Sequence, residues 1–406
     1  MSIQQHQFEV PAALAPETID VTIVMPCLNE TVSLPRCIAN ALDALSRMRT
    51  ELNLSGEIVI ADNGSTDGSQ QLATELGARV VPVVERGYGA ALIGGCKAAA
   101  GRYVLMGDCD GSYDFTEGVA MIAALEQGHD LCMGNRFRGG IAPGAMPWKN
   151  RHIGNPALTG ILNIFFRTGM GDAHCGLRAI RKDAFERLGL TGSGMEFASE
   201  MVIKAALLKL KMVEVPATLS PDLRERAPHL RPWRDGWRHL RYLFMLSPTW
   251  LYGVPGLLAL TLGAAILIGA GAEALVPGSA PWLGDYWTVL GAAMVSIGHL
   301  CLLMMLAGKL YAIQSGYRRV DMVVRSLAPL MKLETLLLTG LGWLAAGGLT
   351  LAYVWVDWAA RGYADIATIF PPVIGTLCLT VGVQTIMGGF LLAIIAGNDS
   401  RFVPRD

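Results

Sequence analysis

Gly107-Asp108-Cys109-Asp110-Gly111-Ser112-Tyr113-Asp114 follows a short apolar run, Tyr103-Val104-Leu105-Met106. The run reads as a buried strand, so Asp108 and Asp110 stand where a strand ends and a loop opens. In an open α/β sheet, ligands bind outside the carboxyl ends of the strands. Two carboxylates one residue apart repel each other unless a cation lies between them. Mg²⁺ is usually held by one or two carboxylates plus substrate phosphates. The Asp-x-Asp therefore points to a metal that clamps a diphosphate. A turn rich in Asp, Gly and Ser fits the tripeptide equally well, and the rest of the chain decides between the two.

Upstream, Val21–Met25 reads as a first strand, followed by the loop Pro26-Cys27-Leu28-Asn29-Glu30. A helix is expected from Ser33 to Arg49, with Pro35 in its first turn, where proline is tolerated. Glu57–Ala61 reads as a second strand and ends in Asp62-Asn63-Gly64-Ser65-Thr66-Asp67-Gly68-Ser69. Arg79–Val84 is a third, followed by Arg86-Gly87-Tyr88-Gly89. Strands alternating with helices argue a parallel sheet with right-handed crossovers. Polar loops after four successive strands converge on one sheet edge and make a nucleotide-sized site, in which Asp62 is suited to accept from a base or ribose hydroxyl. The Gly87-Tyr88-Gly89 stretch is not a dinucleotide fingerprint. Its third glycine position is Leu92, and it follows the third strand rather than the first.

Val24-Met25-Pro26-Cys27-Leu28-Asn29-Glu30, the Asp62–Ser69 loop and Gly107-Asp108-Cys109-Asp110 together resemble glycosyltransferase family 2, with its GT-A fold. Met133-Gly134-Asn135-Arg136-Phe137, Asp172-Ala173-His174-Cys175-Gly176-Leu177-Arg178 and Phe197-Ala198-Ser199-Glu200-Met201 look like the branch that glycosylates polyprenyl phosphates, the dolichyl-phosphate mannose synthase type. The resemblance covers about Thr22 to Arg241. It implies that Pro26, Asn29, Glu30, Asp62, Gly64, Ser65 and Arg86 bind the nucleotide sugar. It implies that Asp108 and Asp110 contact that donor and hold Mg²⁺ or Mn²⁺. Arg136, Arg151, Arg224, His229 and Arg231 would meet the acceptor phosphate, the last three from a basic loop that covers the diphosphate. One departure stands out: the family often has Leu-Gln after Asp-x-Asp, where this chain has Gly111-Ser112. Ser112 or a water would then supply the third metal contact.

The chemistry fits the residues without borrowing. A nucleoside diphosphate leaves as a strongly anionic group, and a divalent cation stabilises it as a Lewis acid. A lipid phosphate is already ionised near neutral pH, so no strong general base is needed. Arginine forks match phosphate oxygens, and Arg136, Arg138, Lys149 and Arg151 cluster after the acidic site; a solvated basic loop is the plainer alternative. Glu196 and Glu200 are expected on one helix face, orienting the sugar or an arginine, or exposed. His174 and Cys175 lack further ligands nearby and read as structural, with Arg178 expected to pair with Asp172. The eight cysteines form no Cys-x-x-Cys pair, so reduced, buried thiols are expected, with Cys109 pointing back into the sheet.

The 406 residues carry a net charge of −1, which gives no global field for nucleic acid. Hydrophobic residues make up 52%, and the excess lies beyond Ser247. Four runs there are long enough to span a bilayer: Trp250–Ala272, Trp287–Leu310, Leu336–Trp358 and Ile369–Ile395. Met1–Asp20 has neither a basic nor an apolar signal region. The expected organisation is a flexible leader (1–18), a GT-A domain with a mostly parallel sheet (19–220), a basic juxtamembrane loop and amphipathic helix (221–247), four transmembrane helices (248–398) and a tail (399–406). Arg234, Arg238 and Arg241, then Arg318, Arg319, Arg325 and Lys332, then Arg401 and Arg405 fall on alternate connections. The positive-inside rule puts the catalytic domain and C-terminus in the cytoplasm. Trp250, Tyr286, Trp287, Trp355 and Trp358 fall at span edges as interfacial anchors. His299 and Gln384 lie mid-span and are expected to face other helices. Gly253, Gly256, Gly347 and Gly348 suit close helix packing.

The Gln-x-x-Arg-Trp motif of processive polysaccharide synthases is absent. The sequence thus reads as a membrane-anchored, metal-dependent, inverting transferase that moves one hexose from GDP-mannose or UDP-glucose to a polyprenyl phosphate. It is compatible with a homo-oligomer. The rival is a transport or scaffold protein for polyprenyl-linked sugars, with a regulatory GT-A domain.

Overall fold

The computed structural model describes residues 18–223, 232–364, 368–399 and 402. The expected leader, the basic loop carrying Arg224, His229 and Arg231, and most of the tail lie outside the described residues. The chain divides into two compact units. The first takes the chain up to Ile161, Thr168–Ala205 and Leu210–Arg238; the second takes Leu162–Arg167, Ala206–Lys209 and the chain from His239 onward.

The first unit is an α/β domain. Its strands are β1 (Val21–Cys27), β2 (Gly56–Asp62), β3 (Arg79–Pro82), β4 (Tyr103–Met106), β5 (Leu131–Asn135), β6 (Gly140–Ile141), β7 (Arg178–Arg181) and β8 (Met212–Leu219). Between them run α1 (Leu34–Leu52), α2 (Ser69–Glu75), α3 (Tyr88–Ala98), α4 (Gly118–Glu126), α5 (Arg136–Gly139), α6 (Asn155–Phe166), α7 (Lys182–Leu188) and α8 (Phe197–Leu207). The sheet order is β3-β2-β1-β4-β7-β5-β8-β6. Every pairing is parallel except those of β7, which is antiparallel to both β4 and β5. The mostly parallel sheet expected from the sequence is present, with one reversed strand at its centre.

The register explains why β1, β2 and β4 read as unbroken apolar runs. Ile23 lies opposite Ile58 and Leu105, and that face packs on Leu34, Ile38 and Met48 of α1 and Met121, Ile122 and Leu125 of α4. The alternate residues Val24, Val59 and Met106 are also fully buried, on the side where α3 crosses β1 and β2. A sheet covered on both faces has no polar alternation to show.

The second unit holds four helices long and apolar enough to cross a membrane: Thr249–Leu275, Asp285–Gln314, Leu333–Ala360 and Phe370–Ile395. After α9 (Pro232–Met245), they contain α10 (Val254–Leu275), α11 (Asp285–Gln314), α13 (Leu333–Ala360) and α14 (Phe370–Ile395), with the short α12 (Met322–Leu327) between α11 and α13. These helices form two hairpins with one contact pattern. In the first, a Cβ on Gly263 would lie 2.7 Å from the Gly291 carbonyl, and one on Gly298 would lie 2.7 Å from that of Gly256. In the second, Gly347 stands 2.7 Å from the Gly375 carbonyl and Gly382 stands 2.8 Å from that of Gly340. Each of Gly340, Gly347, Gly375 and Gly382 follows its counterpart, Gly256, Gly263, Gly291 and Gly298, by 84 positions. The same offset relates the left-handed Gly278 and Gly362 at the hairpin tips, and Glu273 and Asp357 just before them. The membrane half is one hairpin in tandem.

The two hairpins meet through α11 and α14. His299 Nε2 lies 3.0 Å from Thr385 Oγ1, and Gln384 donates to Ser296 Oγ at 3.1 Å. Both mid-span polar residues therefore face a neighbouring helix, as expected. The expectation for Gly348 was wrong: nothing lies within 4 Å of its Cβ position, because the contact face of α13 runs through Gly340 and Gly347. The neighbouring glycines give a matched test. Gly347→Leu should cost about 1–3 kcal/mol through overpacking and lower the thermal midpoint in detergent, whereas Gly348→Leu should leave it unchanged.

Candidate active site

Asp108 and Asp110 lie just past the end of β4, and Asp110 is buried. The sheet order places this edge between β1 and β7, so three neighbouring strand ends surround it. Asp108 is enclosed. A Cβ on Gly176 would lie 2.8 Å from Asp108 Oδ2 and 2.8 Å from Tyr113 Cε2, so only glycine allows this approach. The Gly176 N–H donates to Tyr113 Oη at 2.8 Å. The Tyr88 phenol also lies close enough to Asp108 to feel its charge. Burial pushes that phenol well above its ordinary range, and the Asp108 charge adds to the shift, so Tyr88 stays protonated.

Asp110 is oriented locally. Its Oδ1 accepts from Ser112 N–H at 3.0 Å and from Ser112 Oγ at 2.6 Å. Ser112 therefore steers Asp110, which bears on the third contact considered above. Gly111 adopts φ +81°, and the side chain of Leu223 fills the space beside it, 2.7 Å from where a Cβ would sit. The Leu223 N–H also donates to the Asp110 carbonyl at 2.9 Å, and Ser220 N–H to that of Ser112 at 2.9 Å. The chain leaving β8 is thus laid along the Asp-x-Asp loop.

The loops after β1 and β2 are knitted into one wall. Asn29 accepts from Thr66 N–H at 2.8 Å, and its own N–H donates to Ser65 Oγ at 2.9 Å. The Glu30 N–H donates to Ser69 Oγ, and Ser33 Oγ donates to the Cys109 carbonyl at 2.6 Å. Pro26 is the penultimate residue of β1, paired with Ala61 in β2. Asp62 is buried and accepts from the N–H groups of Gly64 and Ser65 and from Gln70 Nε2 at 2.6 Å. Its carboxylate shapes the loop that carries Gly64 and Ser65. Arg86 is exposed and hangs over Gly64, its Nη2 3.6 Å from the Cβ position there. Asn63, which the sequence did not single out, ties this loop to the next by donating to the Val83 and Glu85 carbonyls and accepting from Gly87 N–H at 2.7 Å. The Cys109 thiol points inward as expected, donating to the Pro26 carbonyl.

Among the arginines, one pairing differs from the expectation. Arg136 is buried and forms a two-pronged pair with Asp172, Nε to Oδ2 at 2.7 Å and Nη2 to Oδ1 at 2.8 Å. Arg178, expected to pair with Asp172, instead donates to the carbonyls of Ala198 and Cys175. The reason is the reversed strand: β7 carries Arg178 into the sheet beside Met106 and Met133, while the loop before it offers Asp172 to the start of α5. Glu214 on β8 holds that loop, accepting from the N–H groups of Gly171 and Asp172 at 2.7 and 2.8 Å and from Asn135 Nδ2 at 3.1 Å. No motif flags Glu214. Arg151 sits exposed in a π-helical turn, Asn150–Gly154, ahead of α6, and Arg138 is exposed.

Glu196 and Glu200 are one turn apart, the Glu200 N–H donating to the Glu196 carbonyl at 2.9 Å, and both side chains reach Gly192. The helix begins at Phe197, and Glu196 accepts from Gly194 N–H in the turn before it. Glu200 is fully buried, paired with Lys204 at 2.7 Å and accepting from Thr191 and Gly192 N–H groups. It is not a surface residue. It braces the 191–194 loop, on which α3 lies so closely that a Cβ on Gly87, at φ +137°, would meet the Ser193 carbonyl at 2.1 Å. This contact is what the Gly87-Tyr88-Gly89 stretch serves. His174 bonds to Ser199 at 3.2 Å and Cys175 is buried, a structural pair as expected.

Residues 22–189 match the model of glycosyl transferase family 2, and residues 306–396 match that of the glycosyltransferase family 2 C-terminal transmembrane region. The chain is 35% identical over 382 residues to the low-salt glycan biosynthesis hexosyltransferase Agl6 of Haloferax volcanii, covering 92% of this chain and 88% of that one. The chain belongs to glycosyltransferase family 2. A dolichyl-phosphate hexose transferase of the same organism is 27% identical over 208 residues, 51% of this chain and 84% of that one. A crystal structure of glucosyl-3-phosphoglycerate synthase from Mycobacterium tuberculosis, in complex with Mn²⁺, uridine diphosphate and phosphoglyceric acid, aligns at a TM-score of 0.40 with 19% identity, covering 56% of this chain and 76% of that one. With the matched transmembrane region and four apolar helices, this glycosyltransferase is a multi-pass membrane protein.

The buried Arg136–Asp172 pair gives a pH test. Burial pushes the Asp172 carboxyl up, but the bonds and charge of Arg136 outweigh it and hold the carboxyl below its ordinary range. A depressed carboxyl stabilises the fold above its unfolded value and loses that contribution as pH falls through its folded value. The thermal midpoint should therefore drop below about pH 4. Asp172→Asn should lack that step and cost about 3–5 kcal/mol at neutral pH by leaving Arg136 buried without its anion.

Proposed function

We propose that this family 2 glycosyltransferase moves one hexose from a nucleoside diphosphate sugar to a polyprenyl phosphate at the cytoplasmic face of the membrane, with inversion at the anomeric carbon. The observation that carries the reading is the Asp108/Asp110 pair at the end of β4, on a chain with its own membrane helices. The similarity to a dolichyl-phosphate hexose transferase supports the acceptor class. The donor is GDP-mannose or UDP-glucose.

Two carboxylates at one strand end are a hard-oxygen donor set. Among the described residues no group of three His, Cys, Asp or Glu side chains could hold a metal. Such a pair suits Mg²⁺ or Mn²⁺ completed by diphosphate oxygens and water rather than an all-protein cage. When bound, the ion stabilises the charge of the departing diphosphate. Asp108 and Asp110 would hold it, with Ser112 steering Asp110. Pro26, Asn29, Glu30, Asp62, Gly64, Ser65 and Arg86 line the nucleotide side. Arg136, fixed by Asp172, and Arg151 receive the acceptor phosphate, together with Arg224, His229 and Arg231. A phosphate oxygen forms the new bond to the anomeric carbon as the bond from that carbon to the diphosphate breaks. No proton has to be removed from an ionised phosphate, so the chain needs no general base. The basic connections between spans support the cytoplasmic placement.

Purified protein, Mg²⁺, a polyprenyl phosphate and each nucleotide sugar in turn should yield one glycolipid by mass spectrometry. Asp110→Ala should reduce its formation by at least about 100-fold, the scale on which losing a group that stabilises transition-state charge lowers rate. Unchanged transfer by the folded variant would remove Asp110 from the site.

A further inference from the structure

Among the described residues of this domain, buried cations come with carboxylates, with one exception. Arg136 pairs with Asp172 and Lys204 with Glu200. Arg178 is as deeply buried, at 1% exposure, yet its hydrogen bonds go to two carbonyl oxygens, Cys175 and Ala198, with Met201 Sδ at 3.9 Å and the Phe197 ring centroid 6.0 Å from its guanidinium carbon. Burying a charge without a partner of opposite sign is costly. The position of those two carbonyls gives the guanidinium its use.

Cys175 precedes Gly176, the residue that lies against Asp108 Oδ2 and whose N–H holds the Tyr113 hydroxyl. Ala198 follows Phe197, whose ring meets that of Tyr88 edge-on at 6.5 Å, and the Tyr88 phenol lies close enough to Asp108 to feel its charge. The two segments that Arg178 fastens together are thus the ones that place three neighbours of Asp108: Gly176, Tyr113 and Tyr88. A planar fork is the side chain that reaches two carbonyls on different segments at once.

We propose that Arg178 is a positioning residue for sugar transfer: by bolting the Cys175–Gly176 turn to the start of α8, it fixes the enclosure that aims the Asp108 carboxylate at the donor and its cation. The proposal rests on the transfer reading above. Arg178 touches no substrate, and it acts through Asp108.

The test uses the full-length protein in detergent, with Arg178→Lys, Arg178→Met and Gly176→Ala. Mn²⁺ binding in the presence of UDP or GDP, read by electron paramagnetic resonance without turnover, reports the aim of Asp108 independently of rate. Arg178→Lys keeps the charge but not the fork. It should weaken Mn²⁺ binding several-fold and lower kcat by about 100-fold, the scale of a small misplacement, with donor KM little changed. Arg178→Met should do the same or more. Gly176→Ala leaves Arg178 intact and pushes a methyl group at Asp108; it should show the same two losses. If folded Arg178→Lys and Arg178→Met keep both Mn²⁺ binding and kcat at the wild-type level, the proposal is overturned and Arg178 is packing only. If Arg178→Met does not fold, Arg178→Lys and Gly176→Ala decide in the same way. Failure of the wild type itself to bind Mn²⁺ or transfer sugar would instead overturn the transfer reading, and the proposal with it.

Discussion

Negative charge gathered at the carboxyl edge of a buried sheet is the constraint that the catalytic domain is built around. Glu30, Asp62 and Asp110 are all buried there, with Asp108 between β4 and the loop that follows. Ser112 donates to Asp110, and Gln70 with two backbone N–H groups donates to Asp62. Neutral donors fix the direction of a carboxylate without cancelling its charge. Elsewhere in the domain, carboxylates meet cations directly. Asp172 is matched to Arg136, Glu200 to Lys204 and Glu57 to Arg79. Those carboxylates are structural, and the cations beside them remove their field. A divalent ion and a diphosphate meeting at the edge would meet carboxylates that these hydrogen bonds have aimed.

Much of this edge was legible in the sequence because its parts are local. A buried strand followed by Asp-x-Asp, and three earlier strand-loop units, need only near neighbours to be recognised. Strand β4 has the bounds the apolar run implied, and β1 and β2 exceed theirs by one or two residues. The partners of the basic residues were not legible in the same way. Arg136 and Asp172 are 36 residues apart, and what joins them is the reversed strand β7, which no periodicity announces. Glu214 and Asn63 are equally silent, because each acts through backbone groups of distant loops. Glu196 lies one turn before Glu200, as spacing assumed, though just outside the helix.

The membrane half repeats the lesson at larger scale. Hydropathy found the four spans, because length and composition suffice for that. It did not show that they are two copies of one hairpin. Most positions between the contact glycines differ between the two copies. The repeat therefore survives in the few residues that set backbone approach, Gly256, Gly263, Gly291 and Gly298 and their counterparts, and in the glycines and acids of the tips. Gly348 illustrates the same point, since a glycine next to a contact glycine is not itself a contact.

The repeat also bears on why there are four spans. With lipid on all sides, helices associate through close packing and hydrogen bonds rather than through the hydrophobic effect. Within each hairpin the glycines supply the close packing. Between hairpins the work passes to side chains: His299 with Thr385, and Gln384 with Ser296. These four residues are not related to one another by the repeat, since Val383 and Leu300 stand where His299 and Gln384 have their counterparts. The seam therefore belongs to the pair of hairpins and not to either one. Two copies that were identical there would present the same face to each other, with no means of distinguishing a neighbour in the same chain from one in another. Unlike polar partners on α11 and α14 give the tandem pair a reason to close on itself.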